Sequence, residues 1–377
     1  MIQSPGIWLM ILAFVLVIGP LVTLHELGHY LAGRWFGVKA EVFSFGFGRE
    51  VAGFTDKLGT RWRLSWLPLG GYVRFAGDMN PASQPDPNWL ALPPEERAKT
   101  IQSKKLWQRA IIVAAGPIAN FVVAIAILAA FGFLLGAPHG TPTIGSVTAG
   151  SPAAQAGLQP GDRVTRFGTR AMTDWNDMVN FTVLRPGEAV HIVYQRGGET
   201  RETDAVIGTL EGKDRFGNSY KIGRLGIGAS DPEIRPVSLL AAPWHGVTQT
   251  FDILRMQLDA LGQIITGRRS VTELGGPLRI GQVAGQRLSL GPQEFIYLIA
   301  LISINLGFIN LLPLPILDGG HLLFYGIEAI RRRPVEPQVM EWAFRGGLMA
   351  IFALMLLVTF NDLGAFGVWR NLAGLIG

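Results

Sequence analysis

The chain of 377 residues is 49% hydrophobic and only 16% charged, against about 25% charge in a soluble domain, and this composition argues against an ordinary cytosolic enzyme. Cys is absent, which excludes disulfides, iron–sulfur clusters, thiol nucleophiles and Cys-ligated zinc and leaves any metal to His and carboxylates. The formal net charge of +5 is spread without a block of like charges, so nothing points to nucleic acid.

Ile7–Leu24 is an uncharged run of 18 residues and Ala110–Leu135 one of 26, each long enough to cross the hydrocarbon layer as a helix. No Lys or Arg precedes the first run, so an uncleaved span is expected rather than a secretory signal. Between the two, Val38–Phe47 and Thr60–Trp66 alternate, with aromatic faces beside Gly46, Gly48, Gly70 and Gly71. Such a pattern predicts a hairpin-like sheet dipping into the membrane interface. Gly77–Thr100, rich in Pro and polar groups, reads as a flexible loop.

After the second span, Thr141–Ala229 alternates short apolar strands (Thr143–Val147, Arg163–Phe167, Val190–Tyr194) with turns at Pro160-Gly161, Pro186-Gly187 and Gly197-Gly198, as a small β-rich domain does. Val247, Phe251, Leu254, Leu258, Leu261 and Ile265 recur at helical spacing as one apolar face. That face either packs on the small domain or lies in the membrane interface. Phe295–Leu317 is a third apolar run, but Pro313 and Pro315 prevent regular helix in its second half. A fourth, Gly346–Phe360, is short and draws on Ala343 and Phe344.

Arg34, Lys39, Lys104, Lys105, Arg109 and Arg331–Arg333 flank the spans on one side. Positive charge marks the cytoplasmic side, so both termini and Gly136–Glu294 are expected outside. At the inner end of the first span stands His25-Glu26-Leu27-Gly28-His29. Residues four apart share a helix face, so two imidazoles can ligate one metal while the Glu reaches its water. Zinc needs a third protein ligand, and the candidates are Asp318, Asp362 and His321. Depth separates them: His25 lies 18 residues into the first span and Asp318 23 residues beyond Phe295, both near the cytoplasmic side. Asp362 ends a span that runs the other way, where it serves as a polar anchor, and His321 reads as helix-start packing.

Three stretches carry a resemblance: HELGH; Gly116-Pro117-Ile118-Ala119-Asn120-Phe121; and Asn310-Leu311-Leu312-Pro313-Leu314-Pro315-Ile316-Leu317-Asp318-Gly319-Gly320-His321. With Gly46-Phe47-Gly48, Pro68-Leu69-Gly70-Gly71-Tyr72 and Leu274-Gly275-Gly276-Pro277, they make the chain resemble the bacterial, RseP-type (regulator of sigma-E protease) branch of the site-2 protease family of intramembrane zinc metalloproteases. Gly150-Ser151-Pro152-Ala153-Ala154, Gly157-Leu158 and Pro160-Gly161-Asp162 resemble a circularly permuted bacterial PDZ domain. Leu225, Gly226 and Ile227 would be its carboxylate-binding loop. Only one PDZ domain fits here, where well-known members carry two.

The resemblance implies a polytopic α-helical membrane protein with four transmembrane helices, a membrane-associated β region and an inserted extracytoplasmic α+β PDZ domain. It divides the chain into a first transmembrane helix (1–36), a cytoplasmic loop with a β-hairpin or sheet (37–106), a second helix (107–136), the PDZ domain (140–230), an amphipathic connector (236–292), a third transmembrane segment (294–330), a fourth helix (340–365) and a tail (366–377). It further implies a bacterial inner-membrane location with a periplasmic PDZ domain, Zn2+ held by His25, His29 and Asp318, and Glu26 as general base. Its substrates would be single-span proteins in the lipid bilayer, such as anti-sigma factors after a first extracytoplasmic cut, and remnant signal peptides. An exposed strand edge at Phe43–Phe47, including Gly46, Phe47 and Gly48, is expected to hold the unwound substrate. Asn310 either bonds substrate backbone or caps the broken helix, and Asn120 reads as an interhelical hydrogen bond.

Three other classes fit parts of the pattern. They are a membrane-bound PDZ scaffold with an incidental HELGH, a transporter suggested by the broken third span, and a membrane zinc protease acting on soluble or prenylated substrates with Glu328 as third ligand.

Overall fold

The computed structural model describes residues 6–78, 89–213, 219–230, 233–267 and 276–365. In chain order it forms α1 (Ile7–Trp35), β1 (Ala40–Thr55), β2 (Arg61–Phe75), a 3-10 turn at Trp89–Ala91, α2 (Pro94–Arg97), α3 (Leu106–Leu135), β3 (Ala137–His139), β4 (Ile144–Val147) and α4 (Pro152–Gln155). There follow β5 (Arg163–Phe167), β6 (Arg170–Ala171), α5 (Trp175–Val183), β7 (Ala189–Arg196), β8 (Glu199–Val206), β9 (Gly208–Lys213), β10 (Ser219–Arg224), β11 (Ile227–Ala229) and β12 (Glu233–Arg235). Last come α6 (Ala242–Ile265), α7 (Pro277–Leu290), α8 (Pro292–Leu311), α9 (Asp318–Arg331) and α10 (Pro337–Ala365). The chain divides after Leu128, at Leu274 and at Asp362 into two units.

Among the described residues four helices are long and apolar enough to cross a membrane: Ile7–Trp35, Leu106–Leu135, Pro292–Leu311 and Gln338–Gly364. Each exceeds or shifts its expected apolar run because a helix continues through flanking polar residues until a breaker stops it. α8 stops at Leu311, two residues before Pro313, as a missing N–H and a ring clash require.

In the first unit, Ala13, Val17 and Leu21 of α1 pack with Ala284 of α7 and with Phe295 and Leu298 of α8. Gly281 and Gly285 let α7 approach; a Cβ at Gly285 would meet the Met10 Cα at 3.1 Å. The connector expected to hold one helix thus holds two, and the second is built into the helical unit. Asp362 is buried and accepts the N–H groups of Gly276 (3.4 Å) and Arg279 (3.2 Å). The expected polar anchor therefore caps the first turn of α7 from outside it.

β1 and β2 each bend, and the sheet has four segments in the order 71–75, 40–47, 61–67, 50–55. Phe43 pairs with both Val73 and Trp62, Ser44 with both Tyr72 and Arg63, and Phe45 with both Gly71 and Leu64. This corrects the expected open edge: Phe43–Phe45 is interior, and the edges are 71–75, the one beside Glu26, and 50–55. Alternation alone could not tell an edge from a centre, because both strands carry the same period. Gly46 (φ +87°) and Gly48 (φ +92°) make the corner, where a Cβ on Gly46 would stand 2.5 Å from the Leu67 carbonyl oxygen. Tyr30, Val38, Ala40, Phe43, Val73, Phe75, Ile101 and Ile112 form the core that seats the sheet on α1 and α3. The loop read as flexible is ordered from Trp89 onward, where Lys99 O accepts the N–H of Lys39 at 2.9 Å; its residues 79–88 lie outside the described part.

In the second unit a sheet of order β6-β5-β7-β8 and a β11-β4 pair enclose Ile144, Val164, Phe167, Met178, Ile192, Ile207 and Leu225. Strands stand at three of the places where alternation predicted them. Asp162 is buried, and Arg196 donates to both its oxygens at 2.7 and 2.8 Å. Burial pushes its carboxyl up, but Arg196 and the Gln159 N–H outweigh that and hold it below the usual carboxylate range. β3 and β12 pair antiparallel, Ala137 opposite Arg235, so the two connections to this module leave side by side.

Ala242, Gly246 and Thr250 of α6 are buried, and its Asp259 takes Arg185 at 3.1 Å and Arg170 at 3.7 Å. Of its expected apolar stripe, Phe251, Leu258 and Ile265 are 59, 56 and 75% exposed, whereas Val247, Leu254 and Leu261 are half-buried. Leu258 lines a shallow pocket with Arg185 and Glu188 of the small domain, so the face divides between packing and exposure.

Candidate active site

The last turns of α1 carry His25, Glu26 and His29, and α9 begins with Asp318. Asp318 arrives there because Pro313 and Pro315 end α8 and the chain doubles back. Gly319 and Gly320 permit the reversal: a Cβ on either would stand within 2.4 Å of a carbonyl oxygen of Leu311, Leu312 or Leu314. The two turns of α1 lie against α3 on small residues. A Cβ on Gly28 would stand 2.3 Å from the Ala115 carbonyl oxygen, and one on Gly116 would stand 2.2 Å from the His29 Nε2.

His25 Nε2 lies 3.2 Å from His29 Nε2 and 3.1 Å from Asp318 Oδ2, and His29 Nε2 lies 3.5 Å from Asp318 Oδ1. One donor atom from each residue can be chosen so that all lie within 4.8 Å. Two donors each about 2.0–2.1 Å from a tetrahedral ion stand about 3.3 Å apart, which these spacings match. Asp318 Oδ2 is buried without a hydrogen bond of sound geometry. Two buried imidazoles and a carboxylate converging on one point is a donor set that suits zinc.

The outer nitrogens are also engaged. His29 Nδ1 lies 2.9 Å from the Ile112 carbonyl oxygen; a carbonyl only accepts, so Nδ1 donates and Nε2 presents its lone pair to the cluster. His25 Nδ1 lies 3.1 Å from the amide of Asn120. Glu26 Oε2 accepts the Val73 N–H at 3.0 Å, so the outer strand of the sheet holds one carboxylate oxygen and leaves the other for chemistry.

The remaining candidates separate clearly. His321 packs its ring 5.0 Å from that of Phe344, outside the cluster. Glu328 pairs with Arg109 at 3.2 Å and accepts the Val335 N–H, so it is committed elsewhere. Asn310 makes no side-chain hydrogen bond among the described residues, and α8 ends on Leu312 without its help. Gly46 and Gly48 are corner residues, and Phe47 stacks on Tyr72 at 6.0 Å. Leu225 and Gly226 turn their carbonyl oxygens inward to the N–H groups of Ala153 and Thr148, with Gly226 at φ +78°.

The model of peptidase family M50 matches residues 13–354. The chain belongs to that family. Metalloprotease MmpA of Caulobacter vibrioides is 36% identical to this M50 protease over 395 aligned positions, covering 98% of this chain and 99% of its own. A protein of Agrobacterium fabrum named as a zinc metalloprotease is 42% identical over 363, covering 94% and 96%. The PDZ domain of an SdrC-like protein of Listeria monocytogenes aligns with 23% of this chain and 84% of its own, at 23% identity and a TM-score of 0.19. The M50 protease is thus a site-2-type zinc metalloprotease with membrane-spanning helices, as its motifs implied.

Sequence reasoning missed the backbone partners of the site, Val73 N–H and Ile112 C=O, because main-chain groups leave no residue signature. It named Gly116 within a motif but gave it no role, although a Gly-Pro inside an apolar span is a cue to close helix contact.

Proposed function

We propose that this M50 protease cuts the transmembrane segments of single-span proteins, with His25, His29 and Asp318 as zinc ligands and Glu26 as general base. The observation that carries it is the meeting of three donors from α1 and α9 beside a Glu held from the sheet. Zinc, when bound, polarises the scissile carbonyl and brings its water's pKa towards neutrality. Glu26, steadied through Oε2, takes the water's proton on Oε1 and passes it to the leaving amine. The unwound peptide lies along the free edge of 71–75 by strand addition, and Asn310, unpartnered, bonds its backbone.

By the charge pattern, the termini and the Thr141–Ala229 module face the periplasm and the site opens towards the cytoplasm of a bacterial inner membrane. The Leu225-Gly226-Ile227 turn and the strand layout support reading that module as a PDZ domain. We assign it a filtering role, with pre-trimmed anti-sigma factors and remnant signal peptides as the substrate classes. The exposed stripe of α6 lies in the lipid interface.

The test is zinc content and cleavage of single-span substrates by purified full-length protein. Glu26→Gln is expected to retain metal and lose cleavage by at least about a thousandfold; Asp318→Asn is expected to lose both. Cleavage by Glu26→Gln at the parent rate, or unchanged zinc affinity in Asp318→Asn, overturns the assignment.

A further inference from the structure

The two ligand histidines are held differently. His29 rests on a main-chain carbonyl, Ile112 O at 2.9 Å, which no substitution can remove. His25 rests on a side chain, the Asn120 amide of α3, whose Nδ2 stands 3.1 Å from the His25 Nδ1, an orientation that an amide's near-symmetric shape leaves to its hydrogen bonds. Asn120 is fully buried, and nothing among the described residues bonds its Oδ1. Its main-chain carbonyl accepts the Ser303 hydroxyl at 2.8 Å, which fixes α3 against α8 at this level, so the amide is presented to His25 from a junction of three helices.

The chemistry of a neutral imidazole decides what the amide does. If the NH2 of Asn120 donated to Nδ1, the ring proton would sit on Nε2, the nitrogen that faces His29 and Asp318, and the ring could not ligate a cation. If the carbonyl faces Nδ1, it accepts the Nδ1–H and leaves the Nε2 lone pair on the cluster. A half-turn of the amide about its last bond exchanges the two arrangements without moving any other atom.

We propose that Asn120 is a positioning residue whose amide oxygen accepts the His25 Nδ1–H, fixing the tautomer and ring plane in which His25 can bind metal. This rests on the assignment of His25 as a ligand. An acceptor behind a ligating imidazole raises its basicity, and losing it lowers metal affinity by about tenfold to a hundredfold. The role belongs to the acceptor and not to the bulk: an aliphatic side chain of similar size fills the space but leaves the ring free to turn and to take the other tautomer.

The experiment compares Asn120→Leu, Asn120→Asp and the parent, each as purified full-length protein. It reads zinc affinity by chelator competition and the visible spectrum of the cobalt-substituted form. Asn120→Leu is expected to weaken zinc about tenfold to a hundredfold and to alter the cobalt spectrum. Asn120→Asp, which keeps an acceptor and lacks a donor, is expected to hold zinc within a few-fold of the parent. Equal affinity in the parent and Asn120→Leu, or equal losses in Leu and Asp, overturns the proposal. If Asn120→Leu does not fold, the nitrogen NMR spectrum of 15N-histidine-labelled, zinc-loaded parent decides. A strongly hydrogen-bonded Nδ1–H on His25 supports the proposal, and one exchanging freely with water overturns it. A parent that binds no zinc would instead sink the ligand assignment, an outcome distinct from failure of Asn120.

Discussion

At the scale of single residues, the site depends as much on atoms that are missing as on those that react. Gly116 leaves room for the His29 ring, and a methyl group there would stand 2.2 Å from Nε2, far inside van der Waals contact. Neither helix can give way cheaply, since Gly28 already touches the Ala115 carbonyl region on the same face. Gly116→Ala is therefore expected to displace the ligand ring and cut both zinc content and cleavage at least about tenfold while leaving helical content by circular dichroism unchanged. Retention of stoichiometric zinc in that variant would refute the account. The proposed ligands His25 and His29 and the proposed base Glu26 were legible in the sequence, because they lie within five positions at the end of one apolar helix. The supporting shell was legible only in part: Asn120 stood out as a polar group in an apolar span, but its partner could not be named from a position 95 residues away.

At the scale of elements, polarity decides how each piece is held. Asp162 keeps its charge in a buried place because Arg196 bonds both oxygens. Since that carboxyl sits below its ordinary value, its contribution to stability is fully present above about pH 4 and is lost as pH falls through the lowered value. Arg196→Met is expected to strand the buried carboxylate. The cost is about 3 kcal/mol, the low end for a broken buried pair, because the Arg196 side chain is 25% exposed. Denaturant melts at pH 7 and pH 3 check this; the variant's deficit should shrink at the lower pH, and a parallel offset at both would count against it. The amphipathic helix was legible as a helix, whereas its docking face was not, since periodicity locates the apolar stripe but not what covers it. The chain lacks Cys, so a polarity-sensitive dye on Phe251→Cys and on Arg255→Cys in proteoliposomes tests the lipid assignment. Emission should shift to the blue at 251 and not at 255, and identical emission would rule it out.

At the scale of the whole molecule, four spans, a bent sheet and an inserted module were all foreseeable from runs of apolar residues and turn signals. The order of strands within the bent sheet was not foreseeable, because a chain that folds back twice can pair either flank. The inserted module offers a direct test of the filter. Its flanking strands β3 and β12 are already paired, so excision of Thr141–Ala229 with a short Gly-rich joint should leave the remaining chain unstrained. The shortened enzyme is expected to cut an untrimmed substrate that the parent refuses, while cutting the trimmed form at a similar rate. Equal slowing of both would assign the module to recruitment instead.

The bond between Glu26 and the Val73 N–H constrains the register of anything laid along the outer strand. Along that edge the N–H groups of alternate residues face outward, and at Val73 the outward donor is already spent on Glu26. An added peptide strand would thus find its ladder interrupted at one rung, leaving a single carbonyl without a main-chain donor beside the carboxylate. The scissile bond would then be chosen by subtraction: of the carbonyls that face the edge, the one left bare beside the carboxylate is the one open to attack. On this view the sequence at the cut matters less than the position of the gap.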